Sequence, residues 1–102
     1  MGKGKRERPI YLGNKLAEIR KKLGLSQNEI LRHLGLSDQL TREEISAYER
    51  GVREPTVLTL LKYAQAAGIY VDALVDDQVS LPEKLPANPK NEGINKAKLK
   101  KS

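Results

Sequence analysis

Arg42, Glu43, Ser46, Ala47 and Arg50 lie on or near the side of a short helical segment opposite Ile45 and Tyr48. In a 3.6-residue period an apolar pair three apart marks the buried stripe, and these five fall away from it. Their chemistry is that of recognition. The guanidinium at 42 donates a fork of hydrogen bonds, the carboxylate at 43 only accepts, the hydroxyl at 46 does both, and the methyl at 47 offers apolar contact. Nothing in the chain points to catalysis instead. No nucleophile stands beside a base, and no glycine-rich loop of the phosphate-cradling kind opens a helix. There is no cysteine and only one histidine, His33, which has no clustered acidic partner and reads as a solvent-facing or packing residue. No metal, cofactor or small-molecule substrate is implied. Asp76-Asp77 reads as a solvated end, and Tyr48 and Tyr63 as core.

Residues of this kind need short, firmly placed helices to hold them. Gly24, Gly35, Gly51 and Gly68 each follow a stretch of helical apolar spacing, where a left-handed residue ends a helix. The first helix carries Leu12, Leu16, Ile19 and Leu23 on one face. The second is expected from about Gln27 to Leu34, with Ile30, Leu31 and Leu34 inward. The third is expected from about Arg42 to Arg50. A fourth starts after Pro55-Thr56 and carries Leu58, Leu61, Ala64 and Ala67, and a short fifth spans Asp72 to Val75. No alternating strand pattern is present, so the fold class is all-α. Ser26-Gln27-Asn28-Glu29 forms a capping box, with Leu25 and Ile30 as a hydrophobic staple; Thr41-Arg42-Glu43-Glu44 repeats the box, with Leu40 and Ile45 as its staple. A second parse would start the third helix at Ser37, but only Thr41 gives both a box and a staple.

The net charge of +6 invites a polyanionic partner. Its distribution does not: residues 1–8 carry net +3, residues 9–79 net −1 and residues 80–102 net +4. The domain reading follows this division. Residues 1–8 form a flexible basic N-terminus, 9–79 one folded domain, and 80–102 a Pro- and Lys-rich disordered tail marked by Pro82, Pro86 and Pro89. No apolar run suggests a signal peptide or a membrane span, so a cytoplasmic setting without a membrane partner is expected.

The ordered set of motifs resembles one family. Leu23-Gly24-Leu25-Ser26-Gln27 looks like the start of its second helix, and Ile45-Ser46-Ala47-Tyr48-Glu49-Arg50-Gly51 like the end of its recognition helix. Arg53-Glu54-Pro55 with Leu58 and Leu61, then Gly68-Ile69 with Asp72 and Val75, complete the pattern over residues 10–76. The chain is identified on these residues as similar to the phage-repressor (Cro/C1, or XRE) helix-turn-helix regulators. That resemblance implies a compact five-helix, lambda-repressor-like bundle in which helices two and three bind DNA. It also implies that Gln27 braces the recognition helix, and that Arg20 and Glu49 form an ion pair tying that helix to the first. Two features depart from the family. The turn between helices two and three is about four residues longer than usual, and Tyr70 stands where a Ser or Thr cap is common.

The resemblance makes double-stranded DNA the expected partner, and a sequence-specific transcriptional regulator, a repressor, the expected function. A helix fits the major groove, where Arg42 suits a guanine, Glu43 a cytosine amino group and Ala47 a thymine methyl. Gln27, Arg50 and Arg53 are expected beside phosphates, with Thr41 capping the reading helix. Competing roles are plain: Glu43 and Glu44 also favour a helix N-terminus, and Arg50 a C-terminus. The alternative function is a protein-binding adaptor or antitoxin-like module on the same fold. A homodimer would double the sequence read. Ile69, Val71, Leu74, Val75, Val79 and Leu81 either supply its surface or pack inward.

Overall fold

A computed structural model describes residues 8–87. These form five helices: α1 (Leu12–Lys22), α2 (Gln27–His33), α3 (Arg42–Glu49), α4 (Val57–Ala67) and α5 (Asp72–Val75). Among the described residues there is no strand, and no helix is long and apolar enough to cross a membrane. Residues 1–7 and 88–102, which hold most of the two expected flexible basic ends, lie outside the described residues.

The core forms where the apolar stripes meet. Leu12, Leu16, Ile19 and Leu23 of the first helical stretch are all buried, and α1 packs against α3, α4 and α5. Ile30, Ile45, Tyr63 and Leu74 close the centre, each fully excluded from water. A fully buried side chain of this size contributes on the order of 1.5–3 kcal/mol. Gly13 allows the closest approach. A Cβ there would stand 2.7 Å from the Tyr48 carbonyl oxygen and 2.8 Å from that of Glu49, so the start of α1 lies directly on the end of α3.

The ends of α1 and α5 hold each other. Tyr11 gives α1 no side-chain cap. The Asp77 carboxylate serves instead, accepting the Ile10 and Tyr11 N–H groups at 3.0 and 3.2 Å. In return Lys15, only 6% exposed, sends its ammonium to the carbonyls of Ala73, Asp76 and Val79 at 2.8, 2.9 and 2.6 Å. One cation thus gathers the Ala73 carbonyl in the last turn of α5, the Asp76 carbonyl at its C-cap and the Val79 carbonyl just beyond. Such support suits α5, which lacks a side-chain N-cap and has the exposed Tyr70 just before it.

Two expectations are corrected here, and between them one alternative left open is resolved. On α4 the inward face is Leu60, Tyr63, Ala64 and Ala67, whereas Leu58 and Leu61 are exposed. The start of α4 at Val57 puts Leu60 and Tyr63, not their neighbours, on the stripe that continues to Ala67. Ile69, Val71, Leu74 and Leu81 pack against the core, which leaves only Val75 and Val79 of the six suggested dimer residues substantially exposed. Residues 80–87 are bound to the domain instead of hanging from it. Leu81 and Leu85 pack on the core, Ala87 is buried with its N–H on the Ala67 carbonyl at 3.2 Å, and Lys22 donates to the Pro82 and Glu83 carbonyls.

Candidate nucleic-acid interface

The two capping boxes set where α2 and α3 begin. Ser26 Oγ accepts the Glu29 N–H, and the Glu29 carboxylate accepts the Ser26 N–H at 2.7 Å. The Ser26 N–H, with the Ser26 hydroxyl beside it, holds the exposed Glu29 carboxyl below its ordinary pKa. Thr41 and Glu44 repeat the exchange at 3.2 and 2.9 Å, so α3 starts at Arg42 rather than Ser37. The longer turn between the helices holds Leu36, which is 2% exposed. Its carbonyl accepts the N–H groups of Gln39 and Leu40, both at 2.9 Å, and makes one tight turn before the Thr41 cap.

Ile45 and Tyr48 lie inward, and burial raises the Tyr48 pKa above its ordinary value. The opposite side is therefore turned out: Arg42 and Glu43 have side chains 50% and 76% exposed and pair loosely at 3.5 Å. Ser46 and Ala47 are half-buried, and Ser46 Oγ accepts from Arg50 Nε at 3.2 Å. Arg53, exposed in the loop after α3, faces the Glu44 carboxylate at 3.8 Å. Arg42, Glu43, Ser46 and Ala47 thus share α3, with Thr41 and Arg50 as its two caps and Arg53 in the loop beyond its far end.

Behind this side lies a polar chain. Arg20 Nε and Nη2 bind Glu49 Oε2 and Oε1 at 2.7 and 3.0 Å, a two-point pair with side chains only 14% and 7% exposed. The Glu49 hydrogen bond raises the Arg20 pKa against the cost of burial. Arg20 Nη1 also donates to the Leu25 carbonyl. Gln27 Nε2 donates to the same Glu49 oxygen at 3.1 Å, while Gln27 Oε1 accepts from Arg42 Nη1 at 3.4 Å. A path of contacts runs from the α1–α3 ion pair through Gln27 to the exposed Arg42. The Tyr63 hydroxyl is buried beside Arg20 and Glu49 without a hydrogen-bond partner among the described residues, and burial drives its pKa up.

Lys15 and Gly13 escaped the sequence reading, and Asp77, read there as part of a solvated end, instead caps the start of α1. Lys15 was within reach of that reading: with Leu12, Leu16 and Ile19 it completes the i, i+3, i+4, i+7 stripe, so a lysine was written into a buried face. Asp77 gives no such local signal, because its partners at Ile10 and Tyr11 are more than sixty residues away. Among the described residues no group of three His, Cys, Asp or Glu side chains is placed to hold a metal.

A bundle with two short capped helices joined by a turn, the second turning polar side chains outward, defines the helix-turn-helix class. The sequence profile of a family described as "Helix-turn-helix domain" matches residues 13–76. The chain is 41% identical over 58 residues to the uncharacterized HTH-type transcriptional regulator y4dJ of Sinorhizobium fredii, covering 57% of this chain and 70% of that one. It is 34% identical over 89 residues to the HTH-type transcriptional regulator ImmR of Bacillus subtilis, covering 86% of this chain and 65% of that one. No solved structure matches. The chain belongs to the helix-turn-helix family and is an XRE-type transcriptional regulator.

Proposed function

We propose that this regulator reads double-stranded DNA with α3 in the major groove. The supporting observation is the meeting of Gln27 and Arg42 at 3.4 Å, which joins the first residues of α2 and α3 on the side away from Ile45 and Tyr48. In this reading Arg42 leaves its loose partners for a guanine edge, Glu43 accepts from a cytosine amino group and Ala47 meets a thymine methyl. Gln27, Arg50 and Arg53 contact phosphates, and Thr41 sets the depth at which α3 begins. Occupying its site would make the protein a repressor, acting in the cytoplasm and performing no reaction. A homodimer on two half-sites would double the sequence read.

Selection of bound fragments from random-sequence duplex DNA tests this, and a palindromic result would support the dimer. Arg42→Ala should cost about 1–3 kcal/mol at the selected site and flatten preference at one base pair. Glu43→Ala should tighten binding to random DNA while selectivity falls, because a carboxylate near phosphates is removed. Unchanged selectivity with a lower Tm would instead make Glu43 a helix-dipole residue. Arg53→Ala should weaken all DNA alike and reduce the salt slope by about one. A protein-binding module is the second reading, favoured by Val57, Leu58 and Leu61 exposed together on α4. It predicts no selected DNA site at all.

A further inference from the structure

We propose that the turn between α2 and α3 is a second reading element, in which Gln39 contacts a base beside those reached by α3. This rests on the DNA-reading role of α3 proposed above. The turn is anchored at both ends. Leu36 is 2% exposed, Leu40 packs on the core, and the Leu36 carbonyl takes the N–H groups of both Gln39 and Leu40 at 2.9 Å. Ser37, Asp38 and Gln39 between these anchors are exposed, and among the described residues their side chains make no hydrogen bond. A segment serving only as a spacer needs no such anchoring. Here the backbone is held while three polar side chains are left unengaged.

Its position follows from the helices. α2 has seven residues, a length of about 10 Å. The chain leaves the end of α2 at His33, yet Arg42 at the start of α3 bonds Gln27 at the start of α2. Residues 34–41 must therefore travel back along α2 toward the reading side. Gln39 stands two residues before the Thr41 cap, where that return ends. Of the three exposed side chains it is the one fitted to reading. An amide both donates and accepts, which matches the adenine N6 and N7 pair in the major groove. The Asp38 carboxylate is repelled by phosphates, so the turn gains little from binding the backbone without regard to sequence.

The test is selection from random-sequence duplex DNA with the full chain and with Gln39→Ala and Gln39→Glu. Both substitutions are at an exposed position, and thermal melts confirm that the fold is kept. The expected result is an adenine preference at one base pair, distinct from the pair that Arg42→Ala flattens. It should fall roughly 5- to 150-fold in Gln39→Ala. In Gln39→Glu it should move toward cytosine, whose amino group a carboxylate accepts. A wild-type site recovered unchanged in both variants overturns this proposal and leaves the α3 reading intact. Absence of any wild-type site overturns the α3 reading itself, and this one with it.

Discussion

The residue that joins most of the site is Glu49. It takes two bonds from Arg20 and one from Gln27, and Gln27 in turn holds Arg42. Removing one partner of a buried ion pair leaves the other charge unmet at a cost of roughly 3–5 kcal/mol, far above the cost at an exposed pair. Arg20→Met should therefore destabilise the domain by about that amount, measured by denaturant unfolding. Arg20→Met with Glu49→Leu should recover much of the loss, because no lone charge remains. Equal losses in the single and double variants would show that packing, not the charge pair, holds α1 to α3. Which side chains met here was legible only in part. Helical spacing marks Ile45 and Tyr48 as inward, but no periodicity pairs Arg20 with Glu49, 29 positions apart; that link came from family resemblance. The bond from Gln27 to Arg42 depends on the path of the longer turn, which propensity does not describe.

At the scale of elements, the starts of helices were the most readable part and the faces of α4 the least. Capping boxes are local, so Ser26 and Thr41 announce themselves within four residues. Along α4 eight of the eleven residues from Val57 through Ala67 are apolar or aromatic, and one of the polar three, Thr59, is itself buried, so tertiary packing decides which of the apolar residues turn inward. The mutual hold of α1 and α5 is likewise tertiary, and it carries a pH signature. Asp77 has its pKa lowered by the Ile10 and Tyr11 N–H groups, and Glu29 by the Ser26 bonds. A carboxyl group with a lowered folded-state pKa stabilises the fold above its unfolded value. That contribution is lost as pH falls through the folded value. The Tm should thus hold steady from neutrality to about pH 5 and decline below about pH 4. Asp77→Asn should be less stable at pH 7 and show a shallower acid decline. A parallel decline in wild type and variant would mean that Asp77 is not a working cap.

For the whole molecule, composition suggested a tail from residue 80, because Pro82 and Pro86 break helices and lysines are abundant. Tertiary contacts move that boundary. Leu81, Leu85 and Ala87 reach the domain, and a Cβ on Gly68 would lie 2.9 Å from the Ala87 nitrogen, so this extended segment is seated on the end of α4. Proline blocks helix but not an extended strap whose carbonyls are taken up by Lys22. Two truncations separate the strap from the lysine-rich residues beyond it. A chain ending at Ala87 keeps every contact described, so its Tm should match that of the full chain. A chain ending at Val79 loses the burial of Leu81, Leu85 and Ala87, about 1–3 kcal/mol, which for a domain of this size lowers Tm by roughly 5–20 °C. Binding should divide the other way. Residues 88–102 carry five lysines and one glutamate, so their removal should weaken binding to all DNA and flatten the salt dependence. The selected site should stay the same. If ending the chain at Ala87 changes the preferred site, the lysine-rich segment reads sequence. If ending it at Val79 leaves Tm unaltered, the strap adds no stability and the domain ends where composition placed it.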